Sequence, residues 1–332
     1  MFQDNFKYNY IIFLCNTDYY KIAYSDLETI KNVSIHFGFN PRNKILAYFH
    51  RVHISPKIQH YFPIPLKSLW YSSYFVDNFI DRTKPKCFIF SADFIENEHY
   101  RSYLLYLKNK YLNSKFVCYY TDLIEPVEGL SKSKPDRFKF PFDLMISYDE
   151  GDAKRYNLKF FNTSFSDVTI PIDNALPECD VYYLGQPKTR WNRILNAYNT
   201  LISSNLKCNF YILNMPEDLR IKSSGLIYID NPMSYEDNLR HVVKSRCLLD
   251  ITQEGSVGLS LRAWECIHFG KCLLTDNYSI KKTKFYNNRY VSIINADGSI
   301  DIDFLKVYRQ YDNPLKDLIR PIHFLKFIQE NL

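Results

Sequence analysis

DITQEGSVGLSLRAWECIHFGKCLLTDN, Asp250 to Asn277, reads as a strand, a loop, a helix, a tight turn and a second strand. The apolar run ending at Ile251 is the first strand, and Gly255 and Gly258 mark the loop. The helix carries Arg262 and Glu265, and Gly270 returns the chain into CLLT. Strand, crossover helix and strand form the unit from which parallel sheets are built. A glycine-containing loop feeding a helix offers unpaired N–H groups and the positive end of the helix dipole, which suits a diphosphate. Arg262, about one turn in, adds a bidentate donor for phosphate oxygens. Glu265, three residues on and on the same face, can accept from sugar or ribose hydroxyls.

The same alternation extends in both directions. In the second half the spacing predicts strands at Val181–Leu184, Phe210–Leu213, Leu226–Ile229, Cys247–Ile251 and Cys272–Thr275. Helices are expected at Arg190–Ser203, Tyr235–Val243, Leu259–Phe269 and Pro314–Gln329. In the first half strands are expected at Tyr10–Cys15, Ile45–Phe49, Cys87–Ser91, Phe116–Tyr120 and Leu144–Ser147, with helices at Pro65–Asp81 and Glu98–Leu112. FSDVTIPIDNALPEC, Phe165 to Cys179, holds two prolines and no period. The expected organisation is therefore residues 1–165, a linker at 166–179, a second domain at 180–313, and a C-terminal helix at 314–332 that packs back on the first domain. Both domains are Rossmann-like α/β units with parallel sheets, facing each other across a cleft. Ligands of such sheets bind outside the carboxyl ends of the strands.

Composition narrows the function classes. The 332 residues are 46% hydrophobic, enough for real cores, and the net charge is +6. Lys and Arg are interleaved with Asp and Glu over the chain as a whole, so no nucleic-acid partner is expected. A mild positive surplus suits an anionic substrate or an anionic membrane surface. The 8 cysteines form no CxxC pair, a reduced intracellular pattern. No export signal or run of roughly 20 apolar residues is present, so the expected location is cytoplasmic, with peripheral contact at the inner face of the cell membrane.

The block from Gly258 to Asn277 resembles the donor-binding segment of GT-B glycosyltransferases. Its form, GLSLRAWE followed by FGKCLLTDN, is similar to bacterial enzymes of lipopolysaccharide and capsule assembly. DVYYLGQPKTRWNRILNAY, Asp180 to Tyr198, resembles the first strand and helix of their C-terminal domain, and KPKCFIFSADF and KFVCYYTDLIEP in the first half extend the likeness. The resemblance implies a nucleotide-sugar co-substrate, no other cofactor, and a saccharide or lipid-linked acceptor. It places Glu265 on the donor ribose. Gly185 and Arg190 fall beside the donor phosphates, and Gln253, Glu254, Gly255, Gly258 and Arg262 complete the expected donor site. Many retaining members carry a glutamate eight residues before the ribose-binding one. Here Val257 stands there and Glu254 is out of register, which favours an inverting course.

Inversion needs a general base on the acceptor side. Asp18, after the first strand, and Asp93, after CFIFSA, are the expected catalytic residues, ahead of Asp122, His50 and His53. FHRVHISPKIQHYF (Phe49–Phe62) is expected as an acceptor-binding loop through His50, Arg51, His53 and Lys57. Trp70, Tyr71, Tyr74 and Phe75 read mainly as the apolar face of a helix. No metal is expected: His50 and His53 lack a third ligand, and Asp301-Ile-Asp303 reads as a solvated turn. The alternative from another class is a non-catalytic sugar- or nucleotide-binding scaffold descended from a transferase. A Rossmann dehydrogenase is disfavoured because no GxGxxG follows the first strand of either half.

Overall fold

The fold is given by a computed structural model, which describes residues 6–41, 43–62, 64–92, 98–125, 140–307 and 313–332. Six strands of the first half form one sheet: β1 (Asn9–Leu14), β2 (Val33–Phe37), β3 (Lys86–Ser91), β4 (Lys115–Tyr120), β5 (Leu144–Ser147) and β6 (Lys159–Phe160), in the order β2-β1-β3-β4-β5-β6. The second half forms another: β7 (Cys179–Gly185), β8 (Cys208–Leu213), β9 (Leu226–Ile229), β10 (Ser245–Asp250), β11 (Cys272–Thr275) and β12 (Val291–Ile293), in the order β12-β11-β10-β7-β8-β9. All these pairings are parallel. Strands buried on both faces read as continuous apolar runs. NYIIFL of β1 and KCFIFS of β3 are buried at every position.

Each sheet reverses its strand order once, between β1 and β3 and between β7 and β10. Crevices open at such points, outside the carboxyl ends of the strands. Asp18 follows one of the two strands at the first reversal, and Gly185 and Asp250 end the two strands at the second. One apolar cluster runs through both halves, taking in Tyr10 and Tyr119 of the first sheet and Leu239, Trp264 and Ile267 from helices of the second half. The Pro321–Asn331 helix closes the chain against the first sheet: the Tyr10 hydroxyl donates to Leu325 O at 3.3 Å, and Phe324 packs 4.7 Å from Tyr119.

Four local expectations need correction. Ile45–Phe49 is not a strand but part of the Lys44–Ile54 helix, and the true neighbour of β1 is Val33–Phe37. Asn43 starts that helix, its Oδ1 accepting from Ile45 N at 2.9 Å and Leu46 N at 3.2 Å. The expected Pro65–Asp81 helix breaks after Tyr74, because Phe75 turns extended and buries its ring with Phe79 in the outer aromatic core. The expected Pro314–Gln329 helix starts only at Pro321, since proline is tolerated in the first turn and not in the interior. Asp301 is not a free turn residue: it caps the Ile302–Lys306 helix, accepting from Phe304 N at 3.1 Å.

Candidate active site

Asp250 ends β10 directly opposite Thr275 of β11, and that register lets the Thr275 hydroxyl donate to Asp250 Oδ2 at 3.0 Å. The carboxylate is buried, and Arg262 Nη1 stands 3.7 Å from its Oδ1. Burial pushes the Asp250 carboxyl above its ordinary range, against the pull of Arg262. Arg262 is carried by the Leu261–Phe269 helix, which Gly270 ends in the left-handed conformation at φ 62°. The guanidinium donates to Leu184 O at the end of β7 and lies 4.8 Å over the Tyr183 ring. Gly185 permits this approach: a Cβ there would stand 3.0 Å from Arg262 Nη2 and 2.9 Å from the Tyr183 hydroxyl.

Glu265 is 3% exposed. Its Oε1 accepts from the Tyr235 hydroxyl at 2.9 Å and from Asn238 Nδ2 at 3.1 Å. The Tyr182 hydroxyl donates to Asn238 Oδ1 at 3.0 Å, which fixes the amide with its NH₂ toward Glu265. Burial raises the Glu265 pKa from 4.5 to about 7, with Arg262, Tyr235 and Asn238 pulling the other way. A carboxyl poised there changes charge near neutrality. Tyr235 also meets the first half, edge-on to Tyr19 at 5.3 Å. None of Tyr182, Tyr235 and Asn238 was expected at the site. Tyr235 and Asn238 share one face of a helix capped by Ser234, but nothing local ties that face to Glu265.

The loop between β10 and this helix differs from expectation. Gly255 adopts φ 85°, and Ser256 N donates to Gln253 O at 3.1 Å, closing a turn. Beyond it the Ser256 hydroxyl, Val257 N–H and Gly258 N–H donate to one oxygen, Oδ2 of Asp149, at 3.1, 2.9 and 2.7 Å. Asp149 follows β5 in the other half, and its Oδ1 caps the Glu150–Arg155 helix through Asp152 N at 3.0 Å. Two backbone amides expected to face a diphosphate are thus held by a carboxylate of the first half. Gly258 is required by this contact, since a Cβ there would lie 3.2 Å from both Asp149 Oδ2 and Tyr148 O. Gly258→Ala is expected to cost about 1–3 kcal/mol, read as a lowered urea midpoint at unchanged slope.

Gln253, Glu254 and Gly255 line an open pocket of about 580 Å³ together with Arg193, Asp276 and Tyr278. Gly258 and Val257 line a different cleft of about 550 Å³, between the halves, beside Lys154, Lys282 and Lys284. Arg190 belongs to neither. Its guanidinium donates to Ile251 O at 2.9 Å and Gln186 O at 2.8 Å, tying the loop after β7 to the end of β10. Arg193, which was not expected, is the cation at the first pocket, paired with Asp276 at 2.6 Å.

No protein-family model matches this chain, and no curated protein matches it. Solved structures are similar in backbone. The chain superimposes on the apo structure of OtsA with a TM-score of 0.50 at 8% identity, covering 97% of this chain and 99% of that one. It superimposes equally, at 0.50 and 9% identity, on a trehalose-6-phosphate synthase studied with bisubstrate glycomimetics, covering 97% and 98%. The fold is GT-B.

On the first-half side of this GT-B cleft, Asp18 opens the Asp18–Ala23 helix, exposed and paired with Lys21 at 3.3 Å. Asp93 lies outside the described residues. The expected acceptor loop is largely helix, and its two candidate histidines are engaged within the fold. His50 is fully buried with Nε2 bonded to the Tyr74 hydroxyl at 2.6 Å, so it presents nothing to an outside ligand. His53 accepts from Trp70 Nε1 at 3.0 Å on one ring nitrogen and meets Pro65 O at 2.8 Å with the other. Arg51 and Lys57 are exposed. Among the described residues no three His, Cys, Asp or Glu side chains are grouped to hold a metal ion.

Proposed function

We propose that this chain is a glycosyltransferase that moves a sugar from a nucleotide-sugar donor to a saccharide or lipid-linked acceptor in bacterial surface polysaccharide assembly, at the cytoplasmic face of the membrane. The observation that carries the reading is the helix after the strand-order reversal of the second sheet, which sets a part-exposed Arg262 against the buried Asp250 and carries the buried Glu265 three residues on. That crevice is where a doubly wound sheet holds a nucleotide. Arg262 can neutralise the diphosphate as it departs, and Glu265 can accept from ribose hydroxyls. In the proposed single displacement the acceptor hydroxyl attacks the anomeric carbon as its bond to the diphosphate oxygen breaks. Asp18 takes the acceptor proton. Val257, apolar and eight residues before Glu265, supports inversion, because no carboxylate stands at that position.

Electrostatic stabilisation by arginine requires no divalent cation. Turnover of the matching nucleotide sugar is therefore expected to persist in EDTA. Loss of turnover that Mg²⁺ or Mn²⁺ restores would overturn metal independence. Thermal shifts against a panel of nucleoside diphosphates and nucleotide sugars test the reading as a whole: one strong responder is expected, and a flat panel refutes it.

A second reading, a nucleotide-binding scaffold without transfer, is favoured by one observation. Asp149 occupies the Val257 and Gly258 amides that a diphosphate would otherwise use. The two readings separate in a single assay, since a scaffold binds nucleotide but neither transfers nor hydrolyses the sugar.

A further inference from the structure

The Lys44–Ile54 helix is amphipathic in the wrong sense for a protein surface in water. Its inner side is polar at the centre, where the fully buried His50 meets Tyr74. Its outer side carries Ile45, Tyr48, Phe49 and Val52, spaced i, i+3, i+4 and i+7, which is one continuous stripe. The first three are 68%, 61% and 57% exposed. Tyr61 and Phe62, exposed at the end of the following Pro56–Tyr61 helix, extend the apolar surface. Patches of this kind on a soluble protein mark a binding surface.

Charge selects the partner. Asp and Glu make up 36 of the 332 residues, yet none occurs between Lys31 and Val76. The same stretch holds Lys31, Arg42, Lys44, Arg51, Lys57 and Lys67. No other stretch of the chain runs as long without an acidic residue. Lys44 and Arg51, seven apart, run along one flank of the apolar stripe. A second copy would set cations against cations in a self-complementary contact, so it is the wrong occupant. Apolar rings bordered by unopposed lysine and arginine match a lipid interface bearing negative headgroups. No helix among the described residues is long and apolar enough to cross a membrane, and an 11-residue helix with this stripe lies in the interfacial plane instead.

We propose that the outer face of the Lys44–Ile54 helix, continued by Tyr61 and Phe62, is an interfacial membrane-binding surface selective for anionic lipid. The helix follows β2 and begins at the carboxyl edge of the first sheet, the edge that borders the cleft. A lipid-linked acceptor would therefore reach the cleft mouth along the bilayer surface. This deepens the membrane placement in the proposed function and rests on that placement alone, independent of transfer.

The test is co-sedimentation of the full chain with vesicles, without donor or acceptor. Binding to phosphatidylcholine vesicles containing 30% phosphatidylglycerol is expected to exceed binding to pure phosphatidylcholine at least tenfold, and to fall steeply in 0.5 M NaCl. Tyr48→Ser with Phe49→Ser is expected to lower anionic-vesicle binding at least tenfold at an unchanged melting temperature, because both side chains are exposed. Arg51→Gln with Lys57→Gln is expected to erase the lipid preference. Equal binding to both vesicle types, or parental binding by the Tyr48/Phe49 variant, overturns the proposal. So does light scattering that shows a dimer dispersed by that variant together with no vesicle binding by the parent.

Discussion

Asp149→Ala is expected to destabilise the folded chain by about 3–5 kcal/mol, because it leaves several buried donors without an acceptor. Asp149 is 1% exposed and accepts from four donors. Alanine leaves the Val257, Gly258 and Asp152 N–H groups without partners, and each buried orphan costs about 1–3 kcal/mol less whatever relaxation recovers. Asparagine separates the two jobs of the carboxylate. Its oxygen can keep the cap on Asp152, worth about 1 kcal/mol, but its NH₂ would then face three donors. Asp149→Asn is therefore expected to recover no more than the cap. Urea unfolding of parent and both variants reads this directly. An asparagine variant that unfolds at the parental midpoint would show that the carboxylate does not join the loop to the first half.

Glu265→Gln is expected to produce a protein that is more stable and binds nucleotide more weakly. The folded-state pKa of about 7 lies above the ordinary 4.5, so the folded chain holds this proton more tightly than the unfolded chain does. Stability from this group is full below about pH 4.5, declines as pH rises toward 7, and is level above that. A neutral glutamine has no such loss. The variant should match the parent near pH 4.5 and exceed it by about 3 kcal/mol at pH 8, at 1.36 kcal/mol per pKa unit. Melting temperatures at the two pH values measure the difference. At pH 8 the same substitution removes the charge from a hydrogen bond to a ribose hydroxyl. Such a bond contributes about 1.5–3 kcal/mol, so nucleotide affinity should fall about ten- to hundredfold. Gaining stability while losing binding is the mark of a group retained for function. A variant less stable than the parent at pH 8 would mean that the carboxylate holds the Tyr235–Asn238 network together instead.

What could be read from the chain alone was local. KCFIFS, CLLD and CLLT declare buried parallel strands because a strand covered on both faces must be apolar throughout. Gly270 ends the Leu261–Phe269 helix because few other residues adopt its left-handed backbone without cost. With nine strands correctly placed this way, two parallel sheets followed. ILAYF of the Lys44–Ile54 helix was misread, because five apolar and aromatic residues suit a strand as well as a helix. The cap at Asn43 decided between them. That same misreading hid the outward apolar stripe, since a strand would have buried half of it. Contacts between distant segments left no local trace. Asp149 and Gly258 are 109 residues apart, and Tyr235 and Glu265 are 30 apart. Backbone preference and burial are written residue by residue, whereas the partner of a buried charge is chosen only when the two sheets pack and leave it no water.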